Sequence, residues 1–374
     1  VGRRRGRRPA PARRLVRHAS PFPHRSLRSS LSLAAGLNVS DSTSGHPVSD
    51  DRLDDLIHGA DLDGLVRLID DRCSDRDWAG LLRVRDRSRA AVATGRQLWP
   101  AATLAEYRLA LLATPGIVAT VLDESDGLSG RFTIGPLTEV AAQHHTWDEL
   151  RPHLDMGPRA AFVAHERVLR GERIDAPDLP PVLDLPLVVQ DWEPDYPLAT
   201  YSDAGAEFPM PNLPETWSDV SPVPAELLDD DVDLAVRQLV EPWLTGSNGH
   251  ADVVCVEGGV AEALGGLGIR RARVAELSPP TALAWLAWAG ASGGAHGRRR
   301  GAAAGRFGAW WTLAALGDLV DDWPAAPDEL GELAHELRWY RWDAHEPEMG
   351  WNLQLAVTDP AEDAAWAILA RDAT

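Results

Sequence analysis

Four arginines lie close together in one glycine-rich stretch, GASGGAHGRRRGAAAGRFGAWW: Arg298, Arg299, Arg300 and, six residues on, Arg306. A guanidinium recognises carboxylate or phosphate through parallel N–H donors, so several of them around one space would make a small-anion pocket. In a chain of formal charge −19 the same arginines could instead pair with Asp318, Asp321, Asp322 or acids of the proline-rich stretch 174–236, or face a partner. Glu257 and His296 are the nearest residues able to act as acid or base.

The same stretch carries Gly297, Gly301, Gly305 and Gly308, at spacings of four, four and three that lay them along one stripe of a helix. Glycine costs about 1 kcal/mol per helical site relative to alanine. A repeated stripe therefore predicts a close-packing seam, with a second backbone or a ligand pressed against it.

Other candidates for chemistry are weaker. His144, His145, His153 and His165, with Glu166, match no zinc-type spacing. Adjacent histidines point about 100° apart on a helix, so no metal site is expected. Val253–Val256, Gly259–Leu267 and Ala272–Leu277 read as strand, helix and strand, a small βαβ-like unit. Its glycine-rich turn could cradle phosphate. Glu257 stands where the phosphate would come, G-x-G-x-x-G is absent and the chain has no lysine, so no nucleotide and no other cofactor is expected.

The elements that must position these residues fall into three parts. Residues 50–173 form successive amphipathic segments with short connections, including a Thr146/Glu149 capping box, and predict antiparallel helix pairs without a repeat period. Residues 174–236 hold fifteen acids, eleven prolines and no basic residue. They predict an acidic connector in which LPLVVQDW makes at most one short strand and Trp192, Tyr196, Phe208 and Trp217 pin the chain. Residues 237–374 hold, between Trp285 and Trp366, nine of the fifteen tryptophans. They predict an α+β domain with a helix over Asp328–Trp342 and a hairpin from WNLQLAVTD and AWAILA. The fold class expected is α+β, predominantly α-helical, with the helix pairs in the N-terminal half and a small sheet in the C-terminal half.

Charge is divided unevenly along the chain. Residues 1–40 hold ten arginines and no acid, and the remainder holds 27 arginines and 56 acids. So acidic a body is a poor general binder of nucleic acid. Residues 1–49 read as a disordered basic tail. It could be a nucleic-acid arm, a targeting segment, or translated upstream sequence preceding a start at Val39 or Val48. No run of about 18 apolar residues is present to span a membrane. Two cysteines are too few for a disulfide framework, which together predicts a cytoplasmic protein.

The stretch GASGGAHGRRRGAAAGRFGAWW, followed by DELGELAHELRWYRWD and GWNLQLAVTDPAEDAAWAILARD, resembles a family of hypothetical proteins from high-GC actinobacteria. The resemblance is firmest over residues 250–374, weaker over 50–173 and absent from 1–40. It implies a bacterial, cytoplasmic origin and carries no activity or catalytic residue with it. Three functions remain: a non-catalytic protein-interaction protein, favoured because no catalytic signature is present; an enzyme or small-anion binder with an Arg-lined pocket in the C-terminal domain; and nucleic-acid contact through the basic arm.

Overall fold

The computed structural model describes residues 48–124, 134–228, 230–346 and 350–373. The basic tail and the alternative starts lie outside this range, apart from the first helical residues. Val48–Thr374 form one compact unit. Among the described residues it is an α+β fold, richer in helix than in strand, with two antiparallel sheets.

The first stretch is helical: α1 (Val48–Gly59), α2 (Leu62–Ser74), α3 (Trp78–Ala93), α4 (Trp99–Leu112), α5 (Pro115–Asp123), α6 (Leu137–His144), α7 (Trp147–Leu150) and α8 (Pro158–Leu169). Their apolar stripes meet in one core around Leu65, Ile69, Leu81, Leu109, Val121 and Val163. Asp77 caps α3, with its side chain accepting from the Gly80 N–H. The Thr146/Glu149 box forms at α7 as its spacing predicts.

The proline-rich stretch supplies β1 (Thr200–Ser202), β2 (Gly205–Glu207), β3 (Ser218–Val220) and β4 (Leu227–Leu228). The pair β1–β2 is a hairpin, whereas β3 and β4 are the two edge strands of the main sheet. Edges are where a chain with this much proline can join a sheet, because a missing N–H there breaks no central ladder. LPLVVQDW forms no strand. The Pro186 and Val188 carbonyls accept from the Arg306 guanidinium instead of a neighbouring strand.

The remainder runs α9 (Val232–Leu239), α10 (Glu241–Gly246), β5 (His250–Glu257), α11 (Val260–Gly266), β6 (Ala272–Leu277), α12 (Pro279–Ala291), α13 (Ala302–Leu316), α14 (Pro327–Glu336), β7 (Arg338–Asp343), β8 (Trp351–Asp359) and β9 (Ala364–Asp372). The main sheet has the order β3-β6-β7-β8-β9-β5-β4, every neighbouring pair antiparallel. β5 and β6 consequently run parallel with three strands between them, so the expected βαβ-like unit is a wide crossover. The helix expected over Asp328–Trp342 stops at Glu336, and RWYRWD is strand β7. Its alternation buries Trp339 and Arg341 on one face and Trp342 on the other, a period of two that the longer helical pattern masked.

Helix α11 covers one face of the sheet, over Val256, Trp342, Ala356 and Ala365. Helix α12 covers the other, where the Trp285 ring lies 4.2 Å from the Arg341 guanidinium carbon. Pairing of β7 with β8 ends at Arg341↔Leu355. Beyond that point Arg341 donates to the Gln354 and Asn352 carbonyls, each at 3.2 Å, and so satisfies backbone that the departing strand leaves open.

Candidate functional site

The glycine-rich stretch is the connection from α12 to α13, and the helix begins only at Ala302. Gly297 and Gly301 therefore precede the helix, and the expected single stripe is divided between loop and helix. The reason lies at Gly301, whose φ of +93° is a left-handed conformation that helices exclude. Close packing occurs at all four positions. A Cβ at Gly297 would lie 2.5 Å from the Pro242 carbonyl oxygen, and one at Gly301 2.8 Å from Glu166 Oε1. At Gly305 it would overlap the Ala287 carbonyl, and at Gly308 it would lie 2.5 Å from Leu239 Cδ1.

The loop is held from several sides. Asp372, fully buried, accepts from the Ser247 hydroxyl at 2.7 Å and from the Ala295 N–H at 2.6 Å. Ser292 Oγ accepts from Trp243 Nε1 at 3.0 Å and from the Gly294 N–H at 3.1 Å. At the end of the loop two buried glutamates from the helical stretch meet the start of α13. Glu139 accepts from the Ala302 N–H at 3.1 Å, and Glu166 from the Ala303 N–H at 2.8 Å. They occupy two of the donors that a helix N-terminus leaves open and oppose its positive end, which offsets the unfavourable placement of the neighbouring arginines.

Arg299 completes this cluster. Its Nε and Nη2 donate to Glu139 Oε2 and Oε1, each at 2.8 Å, and the Tyr201 hydroxyl donates to Glu139 Oε2 at 2.6 Å. Tyr201 is placed by the β1–β2 hairpin, which Gln143 ties to α6 by donating to the Tyr201 carbonyl at 2.7 Å. Burial alone would raise the Glu139 carboxyl, but the hydrogen bonds and charge of Arg299 outweigh it and hold it below the ordinary value. Glu166, with Arg170 Nη1 at 3.0 Å, has the opposite fate. Burial, reinforced by the Glu139 charge, pushes it up to about 7.

The other predicted anion ligands go elsewhere. Arg306 is fully buried and binds Glu193 at two points, 2.7 and 2.6 Å. Arg300 donates to the carbonyls of Gly290 at 2.9 Å and Gln238 at 3.2 Å and to that of Leu239, and burial pushes its pKa down to about 10. Arg298 is exposed. The four guanidiniums thus do not converge on one pocket; Asp318, Asp321 and Asp322 are not their partners, and the acids that pair with Arg299 and Arg306 come from α6 and the proline-rich stretch. Glu257 and His296 are not brought together either. Glu257 ends β5, seven residues and about 23 Å of strand from His250. His296, exposed, lines an open polar hollow with Thr245, Ser247 and Asn248 near the opposite end of that strand. His165 is buried and its imidazole is pushed down to about 4 by burial and Arg306, so it is neutral. No group of three or more metal-ligating side chains gathers among the described residues.

One cleft does bring the three stretches of the chain together. Its volume is about 340 Å³, and it is bounded by Ile134 ahead of α6, Phe208 and Met210 after the hairpin, Trp288 on α12, Ser292, Gly293, Gly294, Gly297 and Arg299 of the loop, and Trp351 at the start of β8. The Arg299 guanidinium carbon sits 4.7 Å from the Phe208 ring centre while its other side serves Glu139. Arg299 is therefore the predicted anion ligand that lines this cleft. Phe208 was legible as a pinning aromatic. Glu139, Tyr201, Trp288, Trp351 and Asp372 were not legible as site residues, because their partners lie up to 163 residues away in the chain.

An α+β protein with a cleft over a hydrogen-bonded glycine-rich loop is what fold and site define. The chain belongs to the family of unknown function DUF6183, which matches residues 63–374. No curated protein and no solved structure matches it. No helix among the described residues is long and apolar enough to cross a membrane.

Proposed function

We propose that this protein binds a small molecule in the cleft between the loop at 292–301, Phe208 and Trp351. The observation that carries the reading is the cleft's construction. It is a cavity of about 340 Å³ whose described lining is mostly apolar, with Arg299 and Ser292 as its polar side chains, and its loop is held by Asp372, Glu139 and its own Ser292. Ligand sites are typically clefts of about 300–1,000 Å³, apolar with a few placed donors and acceptors. Rigid support of the lining loop lowers the entropy lost on binding. A cytoplasmic setting and an actinobacterial origin are supported by the resemblance of residues 250–374 and by composition, with no lysine and few cysteines. A fragment screen read by protein-observed NMR tests the proposal. Hits that shift the indole signals of Trp288 and Trp351, and that weaken in Phe208→Ala, are expected; a diverse library that shifts neither indole overturns it.

A second reading, docking of a partner protein, is favoured by a different observation. Among the described residues, eight of the eleven large apolar side chains most exposed to solvent lie between Val188 and Leu234. The surrounding segment 174–236 carries fifteen acids and no basic residue, so the matching occupant is an extended peptide with alternating basic and apolar side chains. Edge strand β4, with Leu227 and Leu228 exposed, is its expected seat. Binding of an Arg/Leu-alternating peptide, weakened by salt and by Leu228→Asp, is the expected result. Equal binding of the Glu/Leu counterpart would exclude it.

A further inference from the structure

Resting on the cleft reading above, the geometry points to the class of ligand: we infer that the cleft takes a flat aromatic carboxylate of one or two rings. Three observations converge on it. The first is shape and apolarity. Trp288, Trp351 and Phe208 supply ring faces and edges, and Phe208 and Met210 stand 44 % and 49 % exposed at the rim, as apolar surface that an occupant would cover. A volume of about 340 Å³ is near the lower end for ligand sites, which suits a compact ring system and is too small for a dinucleotide.

The second is the sense of the polar side chains on the described lining, Arg299 and Ser292, which are donors. Glu139 engages Nε and Nη2 of Arg299, leaving Nη1 as the nitrogen to meet a ligand. Ser292 Oγ already accepts two N–H groups, so its remaining capacity is to donate its own proton. A carboxylate offers two acceptor oxygens, one for each.

The third is charge. The chain has 56 acidic residues, yet none of the described residues lining the cleft is acidic and one, Arg299, is basic. Arg299 also keeps its charge, because Glu139 outweighs the effect of its burial and raises its pKa. A cation would meet no counter-charge on the described lining, whereas an anion meets a guanidinium whose rotamer Glu139 and Phe208 already fix.

Three naphthalene probes that differ in charge test the class on the unmodified protein, by calorimetry at low salt: 2-naphthoate, 2-naphthamide and 2-naphthylmethylamine. Naphthoate is expected to bind at least tenfold more tightly than the amide, with the amine weakest. Phe208→Ala should weaken naphthoate and amide alike. Arg299→Gln combined with Glu139→Gln, which removes both charges, should abolish the preference for naphthoate over the amide. Should that pair fail to fold, the ranking of the probes on the unmodified protein stands as the test. Amide equal to naphthoate, or amine tightest, overturns the class and leaves the cleft reading intact. So does binding of none of the three while other fragments still shift Trp288 and Trp351. If no fragment of any class enters the cleft, both fall together.

Discussion

Arg306 and Glu193 meet in a two-point contact, Nε to Oε2 at 2.7 Å and Nη2 to Oε1 at 2.6 Å, with both side chains fully shielded from water. Around them Trp310 Nε1 and the Tyr196 hydroxyl donate to Glu193, at 2.9 and 2.5 Å, and the Arg306 guanidinium also donates to the Pro186 and Val188 carbonyls. The pair holds the proline-rich stretch, which has little regular structure of its own, against α13.

Removing one member leaves the other as an uncompensated buried charge. Glu193→Ala is expected to destabilise the protein by about 3–5 kcal/mol. Replacing both by apolar residues of similar size, Arg306→Met with Glu193→Leu, should cost less, because no charge is then left buried, even though Trp310 Nε1, the Tyr196 hydroxyl and the Pro186 and Val188 carbonyls lose their partners. Midpoints of chemical denaturation for the three proteins check this. Equal losses for the single and double variants would contradict it.

Opposed titrations should appear at Glu166 and His165. The Glu166 carboxyl is raised to about 7, so the folded state holds its proton where the unfolded chain has lost it. That contribution falls as pH rises from about 4.5 to about 7. The His165 imidazole is lowered to about 4, so protonation favours the unfolded chain and its contribution rises from about pH 4 to about 6.5. Relative to the unmodified protein, Glu166→Gln should remove the falling component and His165→Asn the rising one. Thermal midpoints measured from pH 4 to 8 read both; parallel curves for all three proteins would refute the assignment.

The glycines of α13 separate by what stands opposite them. A Cβ at Gly305 would overlap the backbone carbonyl of Ala287 and lie 2.9 Å from Ala291 Cβ, whereas at Gly308 it would meet the flexible end of Leu239 at 2.5 Å. Alanine gains about 1 kcal/mol of helix propensity at either site. Gly305→Ala should still lose about 1–2 kcal/mol net through overpacking. Gly308→Ala should fall within about 0.5 kcal/mol of neutral, Leu239 shifting to accommodate it. The difference in thermal midpoint between the two variants measures this.

Periodicity made the helices around Leu65, Leu81 and Val163 legible, and alternation the β8–β9 hairpin. RWYRWD was read as helix because the apolar spacing of Leu330, Leu333 and Leu337 runs straight into Tyr340, and only pairing to β6 and β8 settles its state. The arginines were visible as a cluster, but their destinations were not. Glu139 and Glu193 lie 160 and 113 residues from their arginines, and no local pattern connects residues so far apart. Density of proline correctly excluded central strands from 174–236, yet gave no sign that β3 and β4 would close both edges of the sheet.

The central claim is that a small molecule occupies the cleft beside Arg299. Its most direct measurement is an indole-resolved NMR titration of the full chain with 2-naphthoate and a diverse fragment library, with the fifteen tryptophans assigned by single substitutions. The account predicts saturable shifts at Trp288 and Trp351, with the indole of Trp147, buried among the N-terminal helices, unmoved. Shifts at neither Trp288 nor Trp351 with any compound, or shifts only at tryptophans outside the cleft, would contradict it.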